Sequence, residues 1–141
     1  MEMAIMTSAL GNAYVQQHKL VNAEPLFEEA VQALDVRCES VPLACAAVRS
    51  YLGDFYMAKN KWAAAEAQYE RALAIRQKAL GPHPLVASSL FSMSCVPRKL
   101  NRKKEAKRYM AEAEKIIALP ANSLFSNDRT IDVRTFRADV N

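Results

Sequence analysis

Two adjoining stretches decide the fold: Leu52-Gly53-Asp54-Phe55-Tyr56, and Trp62-Ala63-Ala64-Ala65-Glu66-Ala67-Gln68-Tyr69-Glu70-Arg71-Ala72-Leu73. In the second, Ala65, Tyr69, Ala72 and Leu73 recur at spacings of four, three and one, which places them on one face of a helix. Arg71, Arg76, Gln77 and Lys78 fall largely off that face. Small residues at the Ala positions let two helix backbones approach, and the large one between them fills the gap. Asn60, between the two stretches, marks a turn short enough to make them an antiparallel hairpin.

The pattern recurs in both directions. At an offset of 42, Leu10-Gly11, Tyr14, Ala23, Phe27 and Ala30 stand for Leu52-Gly53, Tyr56, Ala65, Tyr69 and Ala72. At an offset of 41 the other way, Met93, Asn101, Ala106, Met110 and Ala113 stand for Leu52, Asn60, Ala65, Tyr69 and Ala72. The single lost residue falls in the Gly81-Pro82-His83-Pro84 loop. Internal repeats of this length mark a stack of like units. The pattern predicts helices over 3–17, 20–36, 43–59, 61–80, 84–100 and 102–119, with turns at His18-Lys19, Asn60 and Asn101. Pro97 lies inside the fifth of these and predicts a kink or an early end there.

Composition agrees. Of 141 residues 51% are hydrophobic and 24% charged, enough for one core and too apolar for a disordered chain. Only three glycines occur, which argues against a turn-rich β protein and against a Gly-rich phosphate loop. A net charge of +4 permits an anionic partner without demanding one. Cys38, Cys45 and Cys95 are odd in number and lack the Cys-x-x-Cys spacing. They read as three free thiols, two of them buried, suited to a reducing compartment. No run approaches a membrane helix, and Met1 to Leu10 has no basic leader. The expected localisation is cytoplasmic.

Leu10-Gly11-x2-Tyr14 with Ala23-x3-Phe27, and Leu52-Gly53-x2-Tyr56 with Ala65-x3-Tyr69, resemble the tetratricopeptide repeat. The 42-residue spacing, with Ala23-Glu24-Pro25-Leu26-Phe27 and Leu80-Gly81-Pro82-His83-Pro84, is similar to the kinesin-light-chain type. The resemblance covers about residues 4–119. It implies an all-α, right-handed superhelix of about three helix-turn-helix repeats (4–40, 46–82 and 87–119) forming one solenoid over 1–119. The departures are Thr7, Arg49 and Leu90 in the family's Trp slot and Asp35, Gln77 and Ala118 in its Pro slot. The third copy is worn, with Met93-Ser94 for Leu-Gly and Pro97 for Tyr.

In this family the first helix of each pair lines a concave groove that takes an extended peptide or a helix. The resemblance therefore implies a non-enzymatic protein–protein interaction module, a scaffold or adaptor whose partner is another protein. The projected groove positions are Ser8, Asn12, Val15 and Gln16, then Ala47, Ser50, Asp54 and Met57, then Ser88, Phe91, Cys95, Arg98 and Lys99. Asn12, Gln16, Ser50, Asp54 and Met57 are the expected contacts. Ser8 and Ser92 stand where a clamp for a chaperone's C-terminal carboxylate would need Lys and Arg, which argues against that ligand.

No Ser/His/Asp set, carboxylate pair or metal-ligand cluster appears at useful spacing, so no catalytic residue, metal or cofactor is expected. His18 reads as a turn residue, His83 as a loop residue and Trp62 as packing. A second reading rests on Arg98, Lys99, Arg102, Lys103, Lys104, Lys107 and Arg108. These seven cations, opposed by Glu105 alone, are a candidate patch on helix 102–119 for an anionic ligand, nucleic acid ranking last. A third makes the chain a structural segment of a longer array. The opening residues are too apolar for a solvated cap. Continuation of the array, self-association through uncapped ends, or cover by the tail would each answer that. The tail, 120–141, reads as extended or partly disordered, with Ile131, Val133 and Phe136 alternating.

Overall fold

The computed structural model describes residues 2–120, so the expectations for the tail beyond Pro120 lie outside the described residues. Within them the chain is six helices and no strand: α1 (Glu2–Gln16), α2 (Leu20–Asp35), α3 (Pro42–Ala58), α4 (Trp62–Leu80), α5 (Pro84–Lys99) and α6 (Lys103–Ile117). They form three antiparallel hairpins. α1 packs on both α2 and α3, α4 on both α3 and α5, and α6 on α5.

The hairpins close by one turn made three times. His18, Asn60 and Asn101 hold φ of 59°, 60° and 62°, the left-handed region. In each turn the next amide reaches back over the helix end: Lys19 N–H donates to the Tyr14 carbonyl, Lys61 to Tyr56, and Arg102 to Pro97. The left-handed residue itself donates to Val15, Met57 or Arg98. That pair of bonds satisfies helix-terminal carbonyls that would otherwise lack donors. Asn tolerates this backbone because its short polar side chain stabilises it locally.

The Leu-Gly step matters for packing. A Cβ at Gly53 would stand 2.5 Å from the Tyr69 ring, and one at Gly11 would stand 3.0 Å from Phe27. Each glycine thus opens the seat that the large residue of the second helix fills. At the matching positions of the third hairpin the sequence has Ser94 and Met110, the latter a thinner and more pliable side chain than Tyr69. Three apolar clusters follow along the stack. One joins Ala4, Ala30, Leu34, Cys45 and Val48, a second Val15, Ala23, Phe27, Leu52 and Phe55, and a third Tyr69, Leu73, Val86, Leu90, Met93 and Val96.

Helix α5 passes through Pro97 and ends two residues later at Lys99. The missing amide falls in the last turn, where only one ladder bond is lost. Pro97 is fully buried.

Two sequence-based expectations are corrected. Cys38 and Cys45 form a disulfide, leaving Cys95 as the free cysteine among the described residues. The loop after α2 turns back so that Cys38 meets the first turns of α3, and Cα atoms seven positions apart lie 5.5 Å from each other. Spacing rules for metal sites and an odd count do not register such a local closure. With that pair joined, the cysteines do not point to a reducing compartment. The second correction concerns Arg76, which is buried. It lies seven residues, two turns, from Tyr69 and shares its stripe.

Candidate binding groove

At 100° per residue, Ser50, Asp54 and Met57 lie on the side of α3 opposite Leu52 and Phe55, which face the core. All three are half-buried. Asp54 is fixed: the Tyr69 hydroxyl on α4 donates to its Oδ1 at 2.5 Å. Burial raises the Asp54 carboxyl above its ordinary 3.8, and the Tyr69 hydrogen bond partly opposes that shift. Burial likewise raises the Tyr69 phenol, helped by the Asp54 charge, the hydrogen bond itself and Cys95 on α5. Asp54, Tyr69 and Cys95 therefore mark one level at which α3, α4 and α5 converge.

Two turns further along α4 lies a second level. The Arg76 guanidinium donates to Ser89 Oγ on α5 at 2.7 Å, and Ser89 Oγ bonds the Leu85 carbonyl at 3.1 Å. Among the described residues Arg76 has no ion pair. Burial pulls its pKa below the ordinary arginine value, with Tyr51 on α3 opposing. Tyr69, which holds Asp54, and Arg76 stand about 10 Å apart along the α4 axis, since a helix rises about 1.5 Å per residue. Sequence reasoning missed Arg76 because charged residues are normally placed outside. Its spacing from Tyr69 was the available signal.

The other expected contacts are distributed as follows. On α1, Asn12 is half-buried and Gln16 exposed. Ser8 is fully buried, its hydroxyl donating to the Ile5 carbonyl at 2.8 Å, and Val15 is buried too. Both are spent on packing. Ser50 donates to the Ala46 carbonyl at 3.0 Å. Met57 and Trp62 pack against the third apolar cluster. On α5, Phe91 and Cys95 are exposed.

The basic stretch is partly committed to the fold. Arg102 pairs with Glu66 on α4 and, at 3.1 Å, with Glu105. Lys99 lies over the Trp62 ring at 5.8 Å, and Arg108 over Tyr109 at 5.3 Å. Arg98 donates to the Met110 sulfur at 3.1 Å. Lys103, Lys104 and Lys107 are exposed.

Elsewhere, α2 and α3 enclose a cleft of about 250 Å³ on the other side of α3, floored by Phe27, Leu52, Phe55 and Tyr56 and rimmed by Glu24 and Glu28. Lys59 pairs with Glu24 at 3.4 Å. The His83 ring caps α5, its Nδ1 accepting from the Leu85 N–H at 3.1 Å. Among the described residues no group of three or more His, Cys, Asp or Glu could hold a metal ion. No helix there is long and apolar enough to cross a membrane.

Three helical hairpins closed by a common turn, with small-residue seats for a large side chain, define a helical-repeat interaction module. Residues 43–117 match the family described as tetratricopeptide repeat, and the chain belongs to that family. The 42-residue spacing fits the kinesin-light-chain-like type of repeat. Members are interaction modules for other proteins, and the repeat is a non-catalytic one. No curated protein matches the chain.

Proposed function

We propose that the chain binds a partner protein by taking an extended segment or a helix of it along the faces of α1, α3 and α5. Asn12 and Gln16 meet the segment on the first hairpin, and Ser50, Asp54 and Met57 on the second. Phe91 adds apolar surface on the third. The supporting observation is the Asp54–Tyr69 hydrogen bond. It holds a half-buried carboxylate in one position, so a backbone N–H of the segment meets an acceptor already oriented. Arg76, about 10 Å along α4 from Tyr69 or about three residues of extended chain, supplies a positive field. The solenoid carrying this groove comprises residues 1–119.

Panning a displayed peptide library on the immobilised chain tests this. Peptides should enrich that bind the chain and lose at least about tenfold in affinity on Asn12→Ala with Asp54→Ala, with helicity retained. Peptides unaffected by that double substitution would contradict the groove. Ligands lost instead on Lys103→Ala, Lys104→Ala and Lys107→Ala, with steep salt dependence, would transfer the function to the basic helix α6.

A further inference from the structure

The first and last of the described helices expose unlike surfaces. On α1, Met3, Met6 and Leu10 are 75%, 69% and 51% exposed, and Ala13 is exposed with them. Forty-two positions on, their counterparts Cys45, Val48, Leu52 and Phe55 are all under 10% exposed, covered by α2. α1 thus presents to solvent a stripe that the fold buries wherever it recurs. On α6 the exposed residues include Lys107, Glu114 and Lys115, with Ile117, 58% exposed, beside them.

We infer that the α1 stripe is a self-association surface, on which α1 of a second copy docks about a twofold axis. Three features of the chain favour that occupant. Met3, Met6, Leu10 and Ala13 are spaced three, four and three, the seam along which two helices interlock. From Met3 to Gln17 the chain has no charged residue, Glu2 standing just before the stripe, so the seam between two copies buries no ion. The α6 surface of another copy, by contrast, would bring Glu114 and Lys115 onto this apolar stripe and leave them unpaired. Because the same patch serves both partners, the contact closes at two chains. Asn12 lies on a different arc of α1, so pairing leaves the proposed groove open. Three large apolar side chains per copy fall short of the roughly 800 Å² per partner of a standard interface, so the dimer is weak and concentration-dependent.

Sedimentation of the full chain from about 1 to about 300 μM decides it. The expected result is a mass rising from one chain toward two and no further. Leu10→Glu places two like charges across the axis and should weaken association about a hundredfold or more. Its helicity and thermal midpoint at low concentration should stay unchanged, because Leu10 is mostly exposed in the single chain. Lys107→Glu, on α6, should leave association intact. A mass fixed at one chain, growth beyond two, or a dimer that survives Leu10→Glu with both folds intact would overturn the inference.

Discussion

Gly53 and Tyr69 show how one missing side chain shapes the repeat. A methyl group at Gly53 would overlap the Tyr69 ring, whose hydroxyl is held by Asp54 and so cannot swing aside freely. Gly53→Ala should destabilise the fold by about 1–3 kcal/mol in denaturant titration, through overpacking. His18 tells the converse story. It holds φ of 59° without Asn's compensating side chain, so His18→Gly should stabilise by roughly 0.5–1 kcal/mol, read in the same titration. Asp54 supplies a pH signature. Its carboxyl titrates above 3.8 in the folded chain because burial disfavours the charge. The folded state therefore holds the proton more tightly than the unfolded one. The stabilising effect is complete below the unfolded value and is lost as pH rises through the raised folded value. Asp54→Asn still accepts the Tyr69 hydrogen bond but buries no charge. It should match or exceed the parent in thermal midpoint at neutral pH, and the difference should shrink as pH falls toward 4. A constant difference across pH would contradict the burial argument.

At the scale of elements, the helices and their turns were legible because each is written three times. Asn60 and Asn101 mark the left-handed closures, and the fold makes the same backbone bonds at His18, where the residue type alone would not suggest it. The bounds 61–80 and 84–100 differ from α4 and α5 by a single residue. What stayed hidden was whatever depends on a contact between elements. Arg76 reads as a solvent residue until Ser89 on α5 is seen beside it. Asp54 reads as a free groove carboxylate until Tyr69 is seen to donate to it. Cys38 and Cys45 read as separate thiols because nothing in their spacing says that the α2–α3 loop folds back. That disulfide closes a short loop. In the chain-entropy account, Cys38→Ser with Cys45→Ser should cost roughly 2–3 kcal/mol, seen as a lower thermal midpoint with helicity intact at low temperature. Dithiothreitol should lower the midpoint of the parent and leave that of the double variant unchanged.

Across the whole molecule, the stack separates its tasks. Ala and Gly seats and the three apolar clusters bind hairpin to hairpin. The faces of α1, α3 and α5 carry Asn12, Gln16, Ser50, Asp54, Met57 and Phe91, which that packing does not fully consume. The exposed surface of α6 mixes Lys107, Glu114 and Lys115 with Ile117, whereas α1 carries no charge from Met3 onward. Membership of the tetratricopeptide repeat family accounts for the architecture and for the general role in protein interaction. The proposed groove is a matter of which residues stand on those faces; one sequence displays them as a projection, and the fold buries Ser8 and Val15. The most direct test is an amide chemical-shift titration of the chain with a peptide enriched by panning. The account predicts perturbations at Asn12, Ser50, Asp54, Met57 and Phe91, along α1, α3 and α5. Perturbations confined to Lys103, Lys104, Lys107 and Arg108 on α6, with those groove amides unmoved, would contradict it.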